Sequence, residues 1–267
     1  WVGKVGAEKS ITFCRQGMSV SPLAMTSPRM GAFVEFFNRP SVGSQLSDTD
    51  RRNVALVTKQ YRKVSAIPAD RFEKFMVACS RGEHVWQEAK ATSDFGMFLP
   101  CLEEIIAFEK EFVEYEGYEQ NRYDALLDDY EPSMTTGELQ GIIDGLKQEL
   151  VPFIRKLQVE GTRPDTSFLA GTFPVSEQAQ LSRDVLTAMT YDFDAGRIDE
   201  TEHPFTTSLG AGDVRVTTHY YEHDLMSALF STMHEGGHGL YEQGISEEYH
   251  WMPLHRAASM GVHESQS

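Results

Sequence analysis

The chain has 267 residues, 40 % of them hydrophobic, and a formal net charge of −16, which is material for one substantial domain or two small ones. That acidity argues against nucleic acid and anionic membrane as partners, since both are bound through basic patches. No stretch reaches the roughly 18 consecutive apolar residues of a membrane span. The opening WVGKVGAEKSITFCRQ has no apolar run after its lysines, so no secretory leader is expected. Cys14, Cys79 and Cys101 form no CxxC, which argues against a cysteine metal site or a disulfide framework and makes the cytoplasm the expected compartment.

Taken in chain order, most of the sequence reads as helix. SDTDRRNVALVTKQYRKVSA (47–66) opens with capping-type residues, as a helix start should. RFEKFMVACSRGEHVWQEAKA (71–91) and DFGMFLPCLEEIIAFEKEFVEYEG (94–117) carry apolar residues three and four apart, with Gly82 and Pro100 expected to kink or shorten them. TTGELQGIIDGLKQELVPFIRKLQ (135–158) begins with a capping box, Thr135 with Glu138, and contains Pro152, so a capped start and a kink are predicted. Residues 160–175 are rich in turn formers, and SEQAQLSRDVLTAMTYDF (176–193) returns to helix. HPFTTSLGAGDVRVTTHYY (203–221) alternates β-branched residues around a glycine-containing turn, the pattern of a hairpin. YEHDLMSALFSTMHEGGHGLYEQ (221–243) is helical again, and RAASMGVHESQS (256–267) reads as a second helix beside it. The fold expected is mainly α, a single helical domain over 46–267 with a small β hairpin beside its most distinctive helix, preceded by a separate segment 1–45.

His234, Glu235 and His238 make H-E-x-x-H. At about 100° per residue, His234 and His238 lie within about 40° of one another and one turn apart, so both imidazoles can converge on one ion. Glu235 points about 80° to one side, where it can reach a metal-activated water without being a ligand, the arrangement of a zinc peptidase with a general base. Gly236 faces away, where another helix can approach, and Gly237 lies on the other flank, where a side chain would crowd metal or substrate.

A catalytic zinc site needs a third protein ligand and an open position. Tyr241 and Gly244 stand where the metzincin pattern requires Gly and His. Glu242 lies on the same helix, and three ligands in a line cannot surround an ion tetrahedrally. Glu247, Glu248, His250, His255, His263 and Glu264 all remain candidates on geometry alone. His219 and His223 are also four apart, but no Glu follows His219, and they read as ordinary histidines. DVRVTT (213–218) offers a strand whose edge could take an extended peptide.

HEGGHGLYEQG followed by SMGVHESQS resembles the carboxypeptidase Taq family of metallocarboxypeptidases. HPF (203–205), D-x-R-x-T at Asp213, Arg215 and Thr217, GRID (196–199), YDALLDDYEP (123–132) and WQEAKATSDFGMFLPCLE (86–103) also resemble family segments in the right order. The resemblance covers roughly residues 50–267, and the usual early W-D segment is missing. It implies a neurolysin-like helical metallopeptidase fold, Glu264 as third metal ligand, Zn²⁺ with Co²⁺ as an alternative, one ion per chain, and a homodimer. It also implies release of C-terminal amino acids from peptides with a free C-terminus, through zinc-activated water and Glu235 as general base. His203, Pro204, Phe205, Asp213, Arg215, Thr217 and Gly237 are the candidate substrate-binding residues, and His263 a candidate partner of the ligands. Family chains continue past H-E-S-Q with segments that recognise the terminal carboxylate and complete the active site, whereas this sequence stops at Ser267. The alternatives are a related helical zinc oligopeptidase or endopeptidase, and a catalytically incomplete metal-binding fragment.

Overall fold

The computed structural model describes residues 25–210 and 212–267. Most of the segment set apart as 1–45 therefore lies outside the described residues, as does Cys14. Packing divides the chain into two compact units, meeting between Leu126 and Leu127.

The first unit holds helices α1 (Pro28–Phe37), α2 (Pro40–Gly43), α3 (Asp48–Ala66), α4 (Ala69–Thr92), α5 (Phe95–Glu116) and α6 (Arg122–Leu127), the last reaching the division. The hydroxyl of Ser47 caps α3 by accepting from the Asp50 N–H, and Asp94 caps α5 through the Met97 N–H. Each supplies a partner to a backbone donor that the helix cannot satisfy itself. α4 and α5 pack together over Phe75, Ala78, Cys79, Ile105, Phe108 and Phe112. Their rings meet edge-on, Phe75 and Phe112 at 5.1 Å between centroids, a favoured aromatic geometry. α4 runs through Gly82 and α5 through Pro100, so neither residue shortens its helix. A mid-helix Gly costs about 1 kcal/mol and a Pro about 3. Burying Phe98, Cys101 and Ile105 on the contact face offsets more than that, at about 1.5–3 kcal/mol per large apolar side chain. Cys101 is buried as a free thiol, whereas Cys79 is disulfide-bonded, contrary to the reading of the cysteines as reduced.

The Arg71 guanidinium donates from Nε to Glu111 Oε1 at 2.8 Å, and Tyr115 Oη donates to the same oxygen at 3.0 Å. The hydrogen bond from Arg71 comes first among the causes that hold the Glu111 carboxyl below its ordinary value. A carboxyl lowered on folding adds stability above its unfolded value of about 4.3, and that contribution is lost as pH falls through the folded one. Glu111→Gln is therefore expected to lower the melting temperature at pH 7, with the gap to the parent protein narrowing below pH 4. A gap independent of pH, followed by circular dichroism, would show that the carboxylate charge does not contribute.

The second unit holds α7 (Thr136–Glu160), α8 (Val175–Ala188), α9 (Leu225–Gln243), α10 (Met260–Glu264), short 3₁₀ turns at Ser167–Leu169 and Glu247–Tyr249, and strands β1 (Gly196–Glu200), β2 (Thr206–Gly210) and β3 (Asp213–Thr218). α7 starts at the predicted capping box, Thr135 and Glu138 bonding reciprocally, and continues through Pro152. No residue of α7 is buried, although Ile142, Leu146, Leu150, Phe153, Ile154 and Leu157 form an apolar stripe along it. No helix among the described residues is long and apolar enough to cross a membrane.

The sheet order is β1-β3-β2. β2 and β3 form the expected antiparallel hairpin, but β3 also pairs in parallel with β1, Ile198 opposite Val216. DVRVTT is thus the central strand with both edges taken, so it has no edge to offer a peptide. Val214 and Val216 point from β3 into a core shared with Leu186, Tyr191 and Leu240. α9 lies on β3 and against α8, and the hydroxyls of Ser182, Thr232 and Thr218 link all three elements at 3.0 and 3.3 Å.

Candidate metal centre

Asp224 caps α9 by accepting from the Ser227 N–H at 3.0 Å, and the helix then runs unbroken through both histidines. It tolerates the glycines because neighbours occupy the space that side chains would need. A Cβ on Gly236 would lie 2.6 Å from Leu186 and 3.1 Å from Met189, so the predicted close approach of another helix is that of α8. A Cβ on Gly237 would collide with the carbonyl oxygen of Gln266 and lie 2.7 Å from the Cα of Ser267. The clearance there serves the backbone that follows Glu264.

That segment is held by more than Gly237. Ser259 caps the five-residue α10 by accepting from the Val262 N–H. The Met260 N–H donates to the Tyr130 carbonyl at 2.8 Å, and the Gly261 N–H donates to the Glu131 carboxylate. The second helix expected over 256–267 is thus reduced to one short turn, anchored by the end of the YDALLDDYEP segment.

These anchors bring Glu264 to the two histidines. Its Oε2 lies 3.8 Å from His234 Nε2 and 3.6 Å from His238 Nε2, and the three ligand atoms all lie within 4.8 Å of one another. Tetrahedral ligands about 2.0–2.2 Å from a zinc ion stand roughly 3.4 Å apart, so the donor set matches a divalent ion in spacing and chemistry. His238 is buried, while the side chains of His234 and Glu264 are 47 % and 42 % exposed, which leaves one side of the cluster open. Burial first, then neighbouring His263, push the His238 pKa down to about 4. Its ring is therefore neutral at pH 7, as a ligand must be.

Glu235 is 6 % exposed. Burial raises its carboxyl pKa, opposed by the hydrogen bond that Thr206 Oγ1 donates to Oε2 at 2.7 Å. The same hydroxyl lies 2.9 Å from the Glu235 carbonyl, so β2 fixes both backbone and side chain of this residue.

Residues 19–267 match the sequence profile of the carboxypeptidase Taq (M32) metallopeptidases. The chain belongs to this family. The match takes in residues 19–45, so the likeness to the family reaches further toward the N-terminus than the residues 50–267 that carry the motifs. Carboxypeptidase 1 of Bacillus subtilis is 41 % identical over all of this chain and 54 % of its own length. Thermostable carboxypeptidase 1 of Thermus thermophilus is 40 % identical over 91 % of this chain and 49 % of its own. The crystal structure of the M32 carboxypeptidase of Deinococcus radiodurans superposes with a TM-score of 0.80 at 32 % identity, over 92 % of this chain and 48 % of that one. The chain spans about half the length of the curated relatives it matches.

Of the other family-like segments, GRID, HPF and D-x-R-x-T fall in or beside the sheet. Thr217 Oγ1 accepts from the Phe205 N–H at 2.8 Å, and the Thr217 N–H donates to the Phe205 carbonyl, so D-x-R-x-T pins HPF at the entry to β2. Asp213 and Arg215 form a bidentate pair, both contacts 2.8 Å, and the pair holds Asp213 below the usual carboxylate range. His203 and Pro204 lie in the loop joining β1 to β2, where the Thr201 hydroxyl donates to the His203 carbonyl.

Among the alternatives to Glu264, Glu247 and Glu248 are exposed in their 3₁₀ turn. His250 and His255 pack against one another with tilted rings, 5.0 Å between centroids. His219 and His223 bond to backbone carbonyls of Thr201 and Gly171. None of these residues joins the cluster. Thr206 is the contact that sequence reading missed; its only signal is adjacency to HPF.

Proposed function

We propose that this chain carries the metal centre and general base of a metallocarboxypeptidase that releases C-terminal amino acids from peptides. The observation that carries the reading is the convergence of His234 Nε2, His238 Nε2 and Glu264 Oε2 next to a buried carboxylate. His234, His238 and Glu264 would hold one Zn²⁺ per chain, with Co²⁺ acceptable to the same donors. Such an ion supplies Lewis-acid polarisation of a carbonyl and acidifies water.

The protein's own residues do the rest. Glu235 accepts a proton from the attacking water and delivers it to the departing amine, while Thr206 keeps its carboxylate aimed. The burial that raises its pKa makes it a stronger base than an exposed carboxylate, the usual tuning of such groups. The loop His203–Phe205, pinned by Thr217, and edge strand β2 would receive the extended end of the peptide, with Asp213 and Arg215 as flanking contacts, while the flank of Gly237 is filled by the backbone of Gln266 and Ser267. The family points to a homodimer, and the cytoplasm is the compartment proposed.

A peptide and its C-terminally amidated form separate this reading from an endopeptidase. Cleavage of the free-acid peptide alone is expected, and equal cleavage of both would refute a carboxypeptidase. A catalytically incomplete metal-binding chain is the second reading, favoured by the half-length match to the relatives and the unburied stripe of α7. On that reading the same assay gives no hydrolysis until polypeptide matching the remainder of the relatives is added.

A further inference from the structure

We propose that Glu242 and His263 are positioning residues that set the tautomer of His238 and so aim its Nε2 lone pair at the metal position; the proposal rests on the reading of His234, His238 and Glu264 as ligands. Glu242 sits one turn beyond His238 on α9, on the same face, and is not a ligand. Its Oε1 lies 3.0 Å from His263 Nε2, and the two side chains are only 15 % and 13 % exposed. His263 Nδ1 is in hydrogen-bond contact with His238 Nδ1, and the Tyr241 ring packs on His263 with centroids 4.8 Å apart.

The direction of these bonds follows from what each group can do. An ionised carboxylate only accepts, so His263 donates from Nε2. A neutral imidazole carries one N–H, so its Nδ1 must accept, and the donor to it is the Nδ1–H of His238. That places the free lone pair of His238 on Nε2, the atom that faces His234 and Glu264. Reversing the chain would put a proton on the ligating nitrogen. Partners of this kind fix ligand orientation, and their loss costs about 10–100-fold in metal affinity. The arrangement also ties the helix bearing the third ligand to the helix bearing the first two, since His263 adjoins Glu264.

The test is Co²⁺ affinity, measured by competition with a chelator, for the parent chain, Glu242→Leu, His263→Phe and His238→Ala. Expected are loss of binding in His238→Ala and a 10–100-fold weaker constant in the other two variants, with apo melting temperatures near the parent's. Affinity within twofold of the parent in Glu242→Leu and His263→Phe, with binding lost in His238→Ala, would overturn the positioning role and leave the metal centre standing. Absence of Co²⁺ binding by the parent would overturn both. Nitrogen-15 NMR of the parent apoprotein gives a second measure independent of variant folding. It should find the proton on Nδ1 of His238 and on Nε2 of His263, and the opposite pair of tautomers would overturn the proposal.

Discussion

Glu264→Ala should strip the chain of its ability to retain a divalent ion through dialysis. The two α9 histidines offer only two donors in a row, and a structural or catalytic zinc needs at least three protein ligands. The loss should exceed by far the 10–100-fold typical of an outer partner. The fold should be untouched, because the Glu264 side chain is 42 % exposed and α10 is anchored by Ser259, Tyr130 and Glu131 instead. Metal content by atomic absorption, with circular dichroism as the folding control, reads both halves of the expectation. One equivalent of metal retained by the folded variant would remove Glu264 from the site.

Glu235→Gln is expected to separate chemistry from binding. A glutamine keeps the shape and still accepts the Thr206 hydroxyl through its Oε1, so the buried environment is preserved. It cannot take a proton from water. General-base catalysis contributes typically 10²–10⁴-fold, or about 3–5 kcal/mol of barrier, and kcat should fall by that factor in whichever form of the protein is active. Metal content should match the parent's. Unchanged turnover with metal in place would mean that the proton goes elsewhere.

The part of the site confined to one helix was legible from spacing, because a period of 3.6 residues fixes where His234, Glu235 and His238 point. Glu264 was not, since it follows His238 after a 3₁₀ turn and an irregular stretch whose path no local rule determines. Family resemblance, not geometry, singled it out from six candidates. Thr206 was invisible for a related reason. A threonine in a strand signals nothing by itself, and its contact with Glu235 spans 29 residues.

The fold shows the same split between local and distant. Capping at Ser47, Thr135 and Asp224 marks helix starts that the sequence predicts within a few residues. β1 escaped because Ile198 is its one strongly apolar residue and its partner is a parallel strand beyond the hairpin. Gly82 and Pro100 sit inside continuous helices because propensity is a small cost beside the burial of an aromatic helix face.

The bare stripe of α7 has a consequence for how copies of this chain meet in solution. A net charge of −16 keeps them apart at low ionic strength, yet the Debye length shrinks from about 10 Å at 0.1 M salt to about 3 Å at 1 M. Adhesion between oily surfaces is not weakened by the same ions, and sulfate strengthens it. Raising the salt concentration is thus expected to drive self-association through the stripe, and light scattering that stays unchanged between about 0.1 M and 1 M salt would show that α7 does not mediate it.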